Sequence, residues 1–101
     1  MNKNSMAVNV KGKTIELNPE YIKLAIIEKL RSDSRYSARD IKVSGHIEWQ
    51  EKEADAQKLL IDVPLYEKTA ENERKNTLTA NVAIKVLDKS IMGIYFFPKS
   101  D

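Results

Sequence analysis

The chain contains no cysteine, one histidine, three glycines and three prolines among its 101 residues, and each scarcity removes a class of chemistry. Without cysteine there are no disulfides, no thiol nucleophile and no thiolate metal site, which agrees with a reducing compartment. A single histidine and the lack of any EF-hand spacing of oxygen ligands leave no expected metal site. The glycines form neither G-x-G-x-x-G nor a P-loop, so no backbone cradle for phosphate, and no cofactor, is expected. The longest apolar run, Ile91 to Phe97, is far short of the ~20 residues that span a bilayer. Residues 1–5, Met-Asn-Lys-Asn-Ser, lack the apolar region of a secretory signal, so a cytosolic, membrane-free protein is the expectation.

What is present is the composition of a folded chain. At 42% hydrophobic and 32% charged residues, the sequence lacks the low hydropathy and large net charge of a disordered segment. Its length suits one domain, residues 1–101, around one core. The net charge of +2 divides unevenly: residues 1–47 carry nine basic and five acidic side chains, residues 48–75 five basic and eight acidic. Neither block is extreme, and a solvated surface of mixed sign accounts for both.

The strongest pattern is Ile41, Val43, Gly45, Ile47, Trp49 alternating with Lys42, Ser44, His46, Glu48, Gln50. Period-two alternation predicts a strand over 41–50 with one buried and one wet face, and hence an antiparallel sheet covered on one side. Upstream, Val8 and Val10, then Lys11-Gly12-Lys13, then Ile15 and Leu17 predict a short hairpin turning at Gly12. Asn18-Pro19-Glu20 is a helix start, with a capping side chain, proline at the first position and an acid against the dipole. The helix should run from Pro19 to about Arg31, its stripe of Ile22, Ala25, Ile26 and Leu30 widened by Leu24 and Ile27. Ser37-Ala38-Arg39-Asp40 suggests a second short turn.

After a charged turn over 50–56, Leu59, Ile61, Val63 and Leu65 resume the alternation, and pairing Ile47 with Leu59 would place Val43 opposite Val63. Pro64 cannot donate to a ladder, so an edge is expected near it. Residues 67–76 read as a mobile loop. Leu78, Ala80, Val82, Ile84 and Val86 then predict a strand that turns at Asp88-Lys89 into Ile91–Phe97, with Val82 opposite Tyr95 and Ala80 opposite Phe97. The expected fold class is α+β: an N-terminal β-hairpin and one principal α-helix packed on one face of an antiparallel β-meander of about four strands.

Candidate chemistry is sparse. Ser44, His46, Glu48 and, across the ladder, Asp62 share one polar face, but a triad needs a buried histidine and an oxyanion hole, neither of which an open sheet provides. An enzyme using His46 with Glu48 is therefore a minor alternative, and a non-catalytic protein is expected. The acids Glu48, Glu51, Glu53 and Asp55 surround Lys52 in the predicted turn and read as a solvated hairpin tip. Arg31, Arg35, Arg39 and Lys42, with Tyr36 among them and with Lys11 and Lys13 in the hairpin turn, make nucleic acid the main alternative partner, through phosphate contacts and stacking on Tyr36. Asp33 and Asp40 interrupt that stretch.

The sharper signal lies in the last strand, where both faces are apolar. With Ile91, Tyr95 and Phe97 assigned to the core, Met92, Ile94 and Phe96 need a cover, which is the N-terminal hairpin, strong sheet twist or a second protein chain. The leading expectation is a protein-interaction module (adaptor, inhibitor or small subunit) that binds another protein or itself through Met92, Ile94 and Phe96, with Leu60 and Tyr66 as neighbours.

Overall fold

The computed structural model describes residues 6–43, 47, 49–54 and 57–99, with Met6, Glu53 and Ala54 described by their backbone alone. The chain opens with β1 (Met6–Val10) and β2 (Lys13–Leu17), an antiparallel hairpin closed by Lys11 and Gly12. Both turn residues have positive φ, 52° and 83°, the geometry of the two-residue turn that matches strand twist. Asn9 Oδ1 accepts the Gly12 N–H at 3.1 Å.

Helix α1 spans Pro19–Ser32. Its cap is the one the sequence predicts: Asn18 Oδ1 accepts from the N–H groups of Glu20 and Tyr21 at 3.0 and 3.4 Å. Pro19, Ile22, Ile26 and Leu30 are buried, Ala25 and Ile27 half-buried. Leu24, expected to widen the apolar stripe, faces away and is exposed. Residues 34–38 form turns.

The main sheet contains β3 (Ile41–Val43), β4 (Gln50–Ala54), β5 (Lys58–Ala70), β6 (Glu73–Lys85) and β7 (Ile91–Pro98), all antiparallel to their neighbours. Its order is β3-β5-β6-β7, with β4 on the same edge of β5 as β3 but further along. Pro64 falls between the stretches of β5 that pair with β3 and with β4, at the break in that edge among the described residues.

Three expectations change. The 41–50 strand divides: Val43 pairs with Leu65 instead of Val63, and Gln50 begins a separate strand opposite Asp62. The charged stretch after it is β4, not a turn, with a bulge between Glu51 and Glu53, because an edge strand tolerates charge on its exposed side. The loop expected over 67–76 is instead a ribbon, β5 and β6 continuing to a two-residue turn at Glu71 and Asn72, the latter at φ 63°. One opposed pair supports it, since Glu67 lies opposite Lys75 on the ladder, while the like-charged Lys68 and Arg74 are also opposite each other. Arg74 also reaches the Asp40 carboxylate at 3.0 Å.

One face of the sheet carries Leu59, Ile61, Val63 and Leu65 on β5, Leu78, Ala80, Val82 and Ile84 on β6, and Ile94 and Phe96 on β7. All are buried, and they cluster with Ile22, Ile26 and Leu30 of α1 and with Val8, Val10 and Leu17 of the hairpin. The core therefore has the sheet as one layer and the helix with the N-terminal hairpin as the other.

Candidate protein interface

The face away from α1 is built by the pairing of β5, β6 and β7. Leu60, Ala83 and Gly93 make one row across the three strands; Asp62, Asn81 and Tyr95 the next; Pro64, Thr79 and Phe97 the third; Tyr66 and Asn76 continue it on β5 and β6. Asn81 Nδ2 donates to Asp62 Oδ1 at 2.8 Å, and Lys52 Nζ lies 3.8 Å from the other carboxylate oxygen, so the polar centre of the face is internally satisfied. Beside it stand two exposed aromatic side chains, Tyr95 at 57% and Phe97 at 55%.

This arrangement corrects the expected contact surface. Ile94 and Phe96 are 9% and 7% exposed and belong to the core, where Phe96 meets the Tyr36 ring edge-on at 5.5 Å between centroids. The cause is a one-residue slip. A register shift between Ala83 and Ile84 sets Ile91 opposite Ile84 and Gly93 opposite Ala83, leaving Met92 as the extra residue of a bulge. Beyond it Val82 faces Ile94 instead of Tyr95, and every later side chain changes sides. The turn lengthens accordingly: Lys85 N–H bonds Ser90 O at 2.8 Å, and Lys89 takes φ 63°. Leu60 and Tyr66 remain on the outer face and are half-buried, while Met92 is 58% exposed beside the turn. A glycine inside an apolar strand is a recognised sign of a bulge or close approach, so Gly93 was the signal that could have exchanged Tyr95 and Phe97 for Ile94 and Phe96.

The six basic residues proposed for nucleic acid do not form one surface. Arg39 donates from Nε to Glu67 Oε2 at 2.8 Å and from Nη2 to the other oxygen, and Arg35 holds Asp33 at 2.8 Å. Both guanidinium carbons lie over the Tyr36 ring, 5.0 and 5.3 Å from its centroid, and Tyr36 is buried, so its faces are not offered to a base. These pairs hold the carboxyls low: Asp33 falls from its ordinary 3.8 to about 2 through the Arg35 hydrogen bond, and Glu67 is lowered chiefly by Arg39. Arg31, Arg39 and Lys42 line a concavity of about 360 Å³ together with Lys23. Lys11 and Lys13 stand beside Lys58, at the opposite end of the stretch of β5 that runs to Glu67, roughly 30 Å away at strand rise.

Ser44, His46 and Glu48 lie outside the described residues, as does Asp55. Among the described residues no group of three or more His, Cys, Asp or Glu is placed to hold a metal ion, and no helix is long and apolar enough to cross a membrane. Comparison with family models, with curated proteins and with solved structures finds no match to the chain.

Proposed function

We propose that the protein is a non-catalytic interaction module that self-associates through the outer face and free edge of β7, with Tyr95 and Phe97 at the centre of the contact. The observation that carries this reading is where exposed apolar bulk is found. Of the large hydrophobic side chains exposed among the described residues, Leu87, Met92, Tyr95 and Phe97 all belong to the last hairpin, and only Tyr21 and Leu24 lie elsewhere. Aromatic residues and methionine are the types enriched at the centre of protein contacts.

The choice of a second copy follows from the strand itself. β7 ends the sheet, and Ile91–Pro98 carries no charged residue along its length, whereas solvated edges are ordinarily protected by charge. Antiparallel pairing of β7 with its own copy about Tyr95 sets Ile94 against Phe96 and Gly93 against Phe97, core face to core face and outer face to outer face. Such a contact is two-fold and closes on itself.

Light scattering after size-exclusion chromatography at low and high salt tests the reading. A dimer mass in both salts supports it, and a monomer mass throughout contradicts it. A second reading, nucleic-acid binding at the concavity that gathers Arg31, Arg39, Lys42 and Lys23, is supported if nucleic acid co-elutes at low salt and is lost at high salt.

A further inference from the structure

We infer that the groove between the tips of the two outer hairpins binds an acidic, amphipathic polypeptide segment of a partner protein. This site adjoins the Tyr95–Phe97 face, sharing strand β7 with it through Met92. One wall is the turn of the β1–β2 hairpin, with Lys11 and Lys13. The other is the end of β6 and the turn after it, with Lys85 and Leu87, and the β7 bulge supplies Met92. The groove encloses about 1020 Å³, at the upper end of the range of ligand sites.

Its lining combines apolar side chains with lysine ammonium groups. Ile15 and Met92 give it an apolar lining, and Leu87 stands 84% exposed at the crest of its wall. Lysines stand on both walls, and no carboxylate lines it among the described residues. Asp88, in the same turn, is folded back on Ser90, accepting its N–H at 3.0 Å and its hydroxyl at 2.7 Å. A guest must therefore offer apolar side chains to Leu87 and Met92 and anions to lysines on either side. A polypeptide alternating leucine-like and carboxylate side chains does both. Nucleic acid supplies the anion but would find aliphatic side chains where stacking rings are needed, and a flat bilayer does not enter a trough between two walls.

Fluorescence anisotropy with a labelled synthetic helix of Leu and Glu is the test, alongside the same helix with Glu replaced by Lys, a single-stranded oligonucleotide and anionic phosphatidylserine vesicles. The acidic helix is expected to bind and the basic one not. Leu87→Ser with Met92→Ser, at two exposed positions, should weaken binding by about tenfold or more while leaving the circular dichroism unchanged. Lys11→Glu with Lys13→Glu should weaken it by a similar factor, and more at low salt than at high salt. No binding of the acidic helix, binding indifferent to the Leu87 and Met92 substitutions, or tighter binding to oligonucleotide or vesicles overturns the inference. Because Lys11 and Lys13 lie away from β7, the dimer mass is expected to persist in that variant, and its absence bears on the self-association reading alone.

Discussion

The Tyr95 side chain lies over Gly93, its hydroxyl oxygen 2.9 Å from the point a Cβ on Gly93 would occupy. Two residues apart on one strand, both face away from the helix, and the missing side chain at Gly93 lets the tyrosine ring lie along the sheet. Gly93 is not at positive φ, so a side chain there meets the ring and no backbone strain. Gly93→Ala is thus expected to leave stability unchanged or raise it by up to about 1 kcal/mol, through the less flexible unfolded chain. The same substitution displaces Tyr95 and should weaken self-association. Denaturant unfolding and light scattering on one sample separate the two effects.

The register of β7 is tested by comparing neighbours on opposite faces. Ile94→Ala removes buried bulk facing Val82 and should cost about 2–4 kcal/mol. Phe97→Ala, on the outer face, should cost the monomer under about 1 kcal/mol. The reverse order in urea unfolding would restore Tyr95 and Phe97 to the core.

Gly12, at φ +83° with nothing within 4 Å of the point where a Cβ would stand, is limited by backbone conformation and not by space. Gly12→Ala should therefore destabilise by about 1–2 kcal/mol, even though no neighbour is struck. A midpoint equal to wild type in urea would contradict the turn geometry.

Acid should act through three ion pairs at the Arg39 end of the sheet. Glu67, Asp40 and Asp33 have carboxyls lowered by hydrogen bonds from Arg39, Arg74 and Arg35 respectively. A carboxyl lowered in the folded state adds stability that is fully present above its ordinary value and is lost as pH falls through its folded value. For Asp33 that window runs from 3.8 down to about 2; for Glu67 it begins near 4.5. Melting temperature should be flat from neutral pH to the upper edge of this range and fall below it. Glu67→Gln should make the fall shallower, and an unchanged acid slope would deny Glu67 that part.

The elements legible in the sequence are those fixed by local chemistry. Asn18-Pro19-Glu20 sets the helix start, Lys11-Gly12 the first turn, and Leu59 to Leu65 and Leu78 to Ile84 the faces of the central strands. What escaped is set by tertiary pairing. Glu51 and Glu53 do not resemble a strand until β5 offers an edge, and Glu67 to Asn76 forms a ribbon because ladder bonds and opposed charges hold it without apolar burial. The candidate interface inverted for a similar reason: alternation along Ile91–Phe97 separates two apolar sets but does not say which is inside, and one bulge at Met92 decides it. Leu60 stayed on the outer face because the β5–β6 register is unbroken from Leu59 to Leu65, and Tyr66 did so because the shift after Leu65 puts its extra residue, Thr77, on β6.

The most direct test of the central claim is the solution mass of the wild-type chain beside the double variant Tyr95→Lys, Phe97→Lys, by light scattering at matched concentration, with circular dichroism on both. The wild type is expected as a dimer and the variant as a folded monomer. A wild-type monomer, or a variant that remains dimeric, would contradict the assignment of the outer face of β7 as the contact surface.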